Sequence, residues 1–248
     1  MKAVILAAGS GRRLLPLTRR LPKTLIRVGG RTLLERSLNA LAQRGITESV
    51  VVIGHLGEKI RGLIGDRYHG IRVEYVRNPR DTLTGSMHSL FQAREVIDGD
   101  ILLLESDLLY APAALDAIID SPHLNAILVA GLLHSGDDVY VCINESGEVV
   151  NLGKHLADAD RDAACGALVG ISKFSISFLQ RLFARAEQDP RPYPSRCHYE
   201  EYVFETSLQG APLYAVICED LTWIEIDTLA DLRRARKQIL PRLRNGRS

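Results

Sequence analysis

The 248-residue sequence predicts an α/β fold: a mostly parallel mixed sheet flanked by helices, with a smaller substrate-binding lid or insertion. Three observations predict it. Apolar runs at 2–7, 49–55 and 100–110 are apolar nearly throughout, as strands covered on both faces are. The segments between them carry apolar residues at three- and four-residue spacing, the period of a helix with one buried face. Beyond residue 126 the pattern changes to short alternating runs separated by turn signals at 134–139 and 144–149.

Taken in order, 2–7 is a buried strand, followed by a glycine-rich loop at 9–25 with five cations and no acid. Residues 31–45 place Leu33, Leu34, Leu38 and Leu41 on one helical face, ended by Gly45. A strand at 49–55, a short helix at 57–65, an alternating strand at 71–76, a helix at 84–97 and the run 100–110 complete a β-α-β-α-β-α-β order. Right-handed crossovers then put ligands at the carboxyl ends of the strands, where the opening loop and Asp107 both lie. Further on, 166–174 reads as a strand, 175–188 as a helix, 189–197 as a proline-rich loop, 198–209 as a helix and 213–220 as a strand. Residues 222–239 read as a strand end and a terminal helix. No linker divides the chain. The prediction is one domain over 1–240, with 1–110 mainly for nucleotide and 111–227 mainly for acceptor, and a fraying basic tail at 241–248.

Composition is that of an ordinary globular chain, 46% hydrophobic and 25% charged. A net charge of +1 excludes a nucleic-acid binder that works by bulk electrostatics. The four cysteines have no zinc-ligand spacing and predict reduced thiols in a cytoplasmic protein. The first apolar run is too short to span a membrane, and no targeting signal is evident.

Glycines at 9 and 11 let backbone amides approach an anion, and Arg13 and Lys23 add charge suited to a triphosphate. Neither the Walker pattern nor the dinucleotide fingerprint is present. Asp107 closes an apolar run at a strand end. Glu225 and Asp227, two apart, share a strand face. Asp107 with Asp227 or Glu225 is an oxygen ligand set for Mg²⁺, although each carboxylate alone reads equally as a surface charge or, for Asp227, a helix cap.

The stretch LAAGSGRRLLPLT from Leu6 to Thr18, with Pro22–Lys23, resembles the N-terminal signature of the nucleotidyltransferase superfamily that makes NDP-sugars and CDP-alcohols; ESDLLY and WIEID extend the resemblance over nearly the whole chain. The resemblance implies attack by a phosphate or phosphonate oxygen on the α-phosphorus of an NTP, with loss of pyrophosphate. It implies Arg13 and Lys23 as the catalytic cations, Asp107 and Asp227 as Mg²⁺ ligands, and nucleotide contacts from Leu6, Ala7, Ala8, Gly9, Gly11 and Ser106. Sugar-1-phosphate enzymes typically carry a G-L-A-x-A-like stretch after the third strand. Here NPRDTLTGSMHSLFQA stands instead, similar to the branch using CTP with small amino-alcohol phosphates or phosphonates, such as phosphocholine and 2-aminoethylphosphonate cytidylyltransferases. Asn78, Thr84, Gly85 and Ser86 then become candidates for base or ribose, Ser86 being equally a plain helix cap. A cationic acceptor head needs carboxylates or aromatic faces. Asp137, Asp138, Tyr140, His198, Tyr199, Glu200, Glu201 and Tyr202 supply both, or else form a solvated amphipathic helix and turn. Lys154, and less so Lys173, are candidates for the acceptor phosphate. With Trp223 the sole tryptophan, a primary ammonium is favoured over a trimethylammonium. The partners are CTP and a small phosphate or phosphonate, with homodimerisation left open.

Overall fold

A computed structural model describes residues 1–133, 136–189 and 197–246. Residues 134 and 135 of the predicted turn, 190–196 of the proline-rich loop, and 247–248 of the tail lie outside the described residues.

Strand β1 (Lys2–Ala7) is buried along its whole length. After the basic loop come two short paired strands, β2 (Arg27–Val28) and β3 (Arg31–Thr32). Helix α1 (Leu33–Ala42) is fixed at its start by a capping box in which the Thr32 hydroxyl accepts from the Glu35 amide and Glu35 accepts from the Thr32 amide. β4 (Glu48–Ile53), α2 (Gly57–Ile64), β5 (Arg67–Tyr68) and β6 (Ile71–Arg77) follow. Helix α3 (Ser86–Gln92) is shorter than the sequence predicts, because its end tightens into a 3₁₀ turn at Arg94–Val96.

The run at 100–110 does not form one strand. β7 (Ile101–Glu105) stays in the main sheet, Ser106 and Asp107 turn the chain, and β8 (Leu108–Tyr110) leaves to pair elsewhere. Helix α4 (Ala113–Asp120), which opens behind Pro112, is not marked in the sequence reading. The second half adds β9 (Ala126–Ala130), β10 (Tyr140–Ile143), β11 (Val149–Gly153), the short α5 (Asp158–Asp162), β12 (Gly166–Phe174), α6 (Ile176–Gln188), α7 (Tyr199–Ser207), β13 (Tyr214–Cys218) and β14 (Trp223–Glu225). α8 (Leu229–Arg234), a π-helical stretch at Ala235–Ile239 and α9 (Leu240–Arg244) end the described chain.

The main sheet runs β11-β10-β12-β7-β1-β4-β6-β5, with β9 on β12 and β13 on β9. β7, β1, β4 and β6 are parallel, as the β-α-β order dictates, and β12 is antiparallel to β7. The register of β12 shifts between Leu168 and Ser172, around Gly170 at φ +85°. Alternation sends Ala3, Ile5 and Ala7 to one face, packed with Leu34, Leu38, Ile60 and Leu115. Val4 and Leu6 go to the other, packed with Met87, Phe178 and Tyr202. Helices therefore cover both faces.

A third cluster holds the basic loop in place. Leu14 from the loop, Ile26, Val28, Leu109, Ile224, Ile226, Leu232 and Leu240 pack together. Of the predicted fraying tail at 241–248, residues 241–244 are helical, Leu243 packs against this cluster, and 247–248 lie outside the described residues. α9 continues the terminal helix, and Leu240 is seated against the loop's base because its side chain completes an apolar cluster. Leu240→Ala is expected to cost about 2–5 kcal/mol as a cavity in that cluster. Thermal unfolding would then fall by roughly 4 °C or more, whereas a frayed tail would leave the midpoint unchanged.

Candidate active site

Two strand ends and one loop build the site. β1 delivers Leu6, Ala8 and Gly9 to its carboxyl end, where the basic loop begins. Gly11 sits at φ +60°, and a Cβ there would stand 2.9 Å from the Thr18 methyl and 3.1 Å from Lys23. Thr18 donates to the Gly11 carbonyl at 2.7 Å, closing the loop on itself. Antiparallel pairing of β8 with β14 sets Leu108 opposite Glu225, and the Ile226 amide donates to the Asp107 carbonyl at 3.1 Å. Asp107 thereby shares one wall with Glu225 and Asp227, which lie more than a hundred residues further along the sequence.

Lys23 lies between the two halves and is only 8% exposed. Its Nζ donates to Asp107 Oδ2 at 2.6 Å and to Asp227 Oδ1. Arg13 donates to Asp227 Oδ2 at 2.7 Å and, through its other terminal nitrogen, to Asp137. Lys154 stands 3.7 Å from Asp137. Charges thus alternate from Asp107 through Lys23, Asp227, Arg13 and Asp137 to Lys154. Burial works against the charge on Lys23, but Asp107, Asp227 and Glu225 outweigh it and raise its pKa. Burial likewise opposes the charge on Asp227, and Lys23 and Arg13 hold its carboxyl below the usual range.

The cleft around this chain has a volume of about 720 Å³, room for a nucleotide with a small acceptor. Of the residues singled out in the sequence, Leu6, Ala8, Gly9, Arg13, Thr84, Gly85, Ser86, Asp107, Asp138, Lys154, His198, Glu200, Glu225 and Asp227 line it. Ser86 is not the cap of α3; Gly85 is, and the Ser86 hydroxyl accepts from the Tyr199 amide at 2.9 Å. Asp227 is not a cap either, since Thr228 takes that position on α8. Lys23, Ala7, Gly11 and Ser106 stand behind the lining. Asn78 is buried and organises the lining from below: its amide donates to Thr84 at 3.1 Å and Ser89 at 3.0 Å, and its oxygen accepts from the Arg80 amide.

Five acceptor candidates are corrected. The hydroxyl of Tyr140 accepts from Arg161, whose guanidinium stacks on its ring, so Tyr140 points away from the lining. Tyr199 and Tyr202 share a face as their spacing predicts, but that face is the core. Glu201, on the opposite side of α7, is exposed. Lys173 donates to the carbonyls of Ser121 and Ile119 and closes the end of α4.

Two acids in the lining, Asp81 and Glu105, are absent from the sequence reading. Asp81 accepts from the His55 amide at 2.7 Å and packs on Gly54, where a Cβ would meet the Ala8 carbonyl at 2.7 Å. Glu105 lies two residues before Asp107, the same spacing that drew attention to Glu225 and Asp227, and could have been found by the same rule. One ligand oxygen each from Glu105, Asp107 and Glu225 lie within 4.8 Å of one another. Burial, then Asp107 and Glu200, push Glu105 well up. Burial, then Asp107, Glu105 and Asp227, push Glu225 up to about 10. Asp107 Oδ1 is buried with no hydrogen-bond partner. A wall of acids that suppress one another's ionisation, with an orphaned oxygen, fits a divalent cation. Deeper in the cleft, Glu200 is 6% exposed, and its Oε2 has no partner among the described residues. Burial pushes it up to about 7.

Residues 2–134 match the Nucleotidyl transferase family. The chain is 33% identical, over 95% of its length, to the CMP-5'-(3-aminopropyl)phosphonate synthase of Streptomyces rubellomurinus, and spans 38% of that protein. It is also 33% identical, over 73% of its length and 69% of the relative's, to the 2-aminoethylphosphonate cytidylyltransferase of Lancefieldella rimae. Among solved structures, the inositol-1-phosphate CTP transferase from T. maritima superimposes with a TM-score of 0.79 at 20% identity, covering 100% of this chain and 97% of that one, and so shares the fold. With the signature loop, the sheet order and this sequence match in agreement, the chain belongs to the nucleotidyl transferase family.

Proposed function

We propose that the cleft transfers CMP from CTP to a small aminoalkyl phosphonate or phosphate and releases pyrophosphate. The observation that carries this reading is that one cavity holds a cationic mouth and an acidic floor. Arg13, with Lys23 buried behind it, stands beside the glycine loop, while Glu200, Glu105 and Asp138 line the same cleft. A substrate pair with a triphosphate at one end and an ammonium at the other matches that distribution.

The acceptor's phosphonate or phosphate oxygen attacks the α-phosphorus, and the bond from that phosphorus to the pyrophosphate oxygen breaks. Pyrophosphate leaves with the electron pair, and Arg13 and Lys23 neutralise the charge that builds on it. A phosphate monoester has a second pKa of about 6, so the nucleophile is already an anion and needs no general base. Mg²⁺ would be held by Asp107 and Asp227 with Glu225 and Glu105 alongside, supplying charge stabilisation to the phosphate oxygens. Lys154, at the end of β11, is placed to meet the acceptor's oxyanion.

The choice of acceptor rests on which aromatic rings reach the cleft. Tyr199 and Tyr202 are core residues and Tyr140 turns away, which leaves Trp223, with the His198 imidazole, as the aromatic rings in the lining among the described residues. That pair is a poor box for a trimethylammonium, whereas carboxylate oxygens satisfy a primary ammonium through N–H donors. The reading therefore favours aminoalkylphosphonates over phosphocholine. The relatives named for aminopropyl- and aminoethylphosphonate chemistry agree with it.

The direct test is pyrophosphate release with Mg²⁺, each of the four NTPs being paired with 2-aminoethylphosphonate, phosphocholine, phosphoethanolamine and glucose-1-phosphate. Release confined to CTP with an amino acceptor is expected; release with glucose-1-phosphate alone would overturn the assignment. Arg13→Ala is expected to lower kcat about 10²–10³-fold with thermal unfolding little changed, since Arg13 is largely exposed. Glu200→Gln is expected to raise the acceptor KM by about tenfold or more, the worth of a charge-assisted hydrogen bond, with the KM for CTP unaltered. Because Glu200 binds an ammonium only when ionised, the wild-type acceptor KM should climb as pH falls through about 7, and the Glu200→Gln protein should lack that climb. An equal pH profile in both proteins would remove Glu200 from the acceptor site.

A further inference from the structure

A second cavity, of about 360 Å³, shares no lining residue with the cleft. It opens between α1, the start of β8 and α9. Three arginines line it, Arg31, Arg36 and Arg244, together with the amides of Asn39 and Gln43, and no carboxylate does. Leu108, Pro112, Leu240 and Leu243 make its apolar side.

The cations converge on one point. Gly29 holds φ +62°, and the place its Cβ would take lies 3.1 Å from a terminal nitrogen of Arg244 and 3.2 Å from one of Arg36. Leu240 Cδ2 lies closer still, 2.5 Å from that place, so the absent side chain lets Leu240 pack there and brings the two guanidinium groups to the same edge of the cavity. Arg36 donates to the Val28 carbonyl, but its Nε is buried without a partner. Among the described residues none of the three arginines forms an ion pair with a carboxylate. Glu35 is engaged by the Thr32 amide and stands 3.8 Å from Arg27 instead. Burial is the main cause that lowers the pKa of Arg36, Arg31 and Arg244 add to it, and Glu35 opposes it.

We propose that this cavity is a second binding site, for a phosphorylated small molecule whose oxyanion is held by Arg36, Arg244 and Arg31. Three observations carry it: convergent planar donors suited to an oxyanion, a buried N–H with no acceptor, and an apolar wall for the rest of the ligand. Arg31 and Arg244 work against the charge on Arg36, and a bound anion would offset that. The site adjoins the active centre through the chain itself. Leu108 and Tyr110 line it, and Asp107, one residue earlier, lines the cleft.

The test is calorimetric titration of the full chain with inorganic tripolyphosphate in metal-free buffer. Two binding events are expected for the wild type. Arg244→Gln, an exposed position, and Arg36→Gln should each weaken one event at least tenfold while leaving pyrophosphate release from CTP unchanged. Arg13→Ala should weaken the other event and spare this one. A single event sensitive only to Arg13→Ala would overturn the proposal. So would two events that neither Arg36→Gln nor Arg244→Gln alters.

Discussion

The contact on which the active centre depends is the ammonium of Lys23 between the carboxylates of Asp107 and Asp227. It ties the N-terminal loop to two strands distant in sequence. A buried cation of this kind is tolerable only with its partners, and each buried carboxylate only with its cation. Everything around it follows from keeping those three groups in register. The loop closes on Thr18, its apolar side chain Leu14 sinks into the third core cluster, and β8 pairs with β14 so that both aspartates emerge together. The same positive charge that balances two aspartates in the free protein is the charge a leaving pyrophosphate needs. The resting pairing and the proposed chemistry therefore use one electrostatic arrangement.

The cleft meets two opposite charge demands within one cavity. Field lines from a cationic mouth would repel an ammonium if nothing intervened. Asp137 stands between two cations, paired to Arg13 on one side and facing Lys154 on the other, and so offsets part of the positive charge. Arg13 holds Asp137 well ionised, with its carboxyl pushed below the usual range. The burial of Glu200 works the other way, leaving it poised near neutrality and costly to ionise without a cation. Under the proposed function such a floor would discriminate by charge: a neutral polyol offers it no compensation, whereas an ammonium does.

How far the sequence foretold this depends on the distance over which each signal acts. Local periodicity was enough for the β-α-β order, for α1 with Leu33, Leu34, Leu38 and Leu41 inward, and for the strand at 166–174. The signature motifs singled out Arg13, Lys23 and Asp107 from neighbours a few residues away, and the structure brings the three together around Asp227. What failed needed facing information. Tyr199 and Tyr202 have the spacing of a shared helical face, but spacing does not say which side meets the core; α7 puts both tyrosines inward and Glu201 outward. The tail looked like a basic end because its charges dominate the composition, while one leucine, Leu240, decides its packing. The split of 100–110 into two strands was hidden by an apolar run that satisfies both sheets equally.

That split deserves its physical reason, because the active centre is made there. A strand that continued straight from β7 would carry Asp107 along the main sheet, away from β14. The chain instead turns at Ser106, and β8 forms a separate two-stranded ribbon with Trp223–Glu225. Opposite, β12 breaks its own register around Gly170, where a Cβ would stand 2.9 Å from the Glu105 carboxylate. Glycine at that point leaves room for Glu105 to lie against the strand and reach toward Asp107 and Glu225. The main sheet is thus interrupted on both sides of one residue, and each interruption serves to bring carboxylates together against their mutual repulsion. The rigidity of the sheet, covered by helices on both faces, is what sustains that crowding: regular packing elsewhere holds a site that local electrostatics would drive apart.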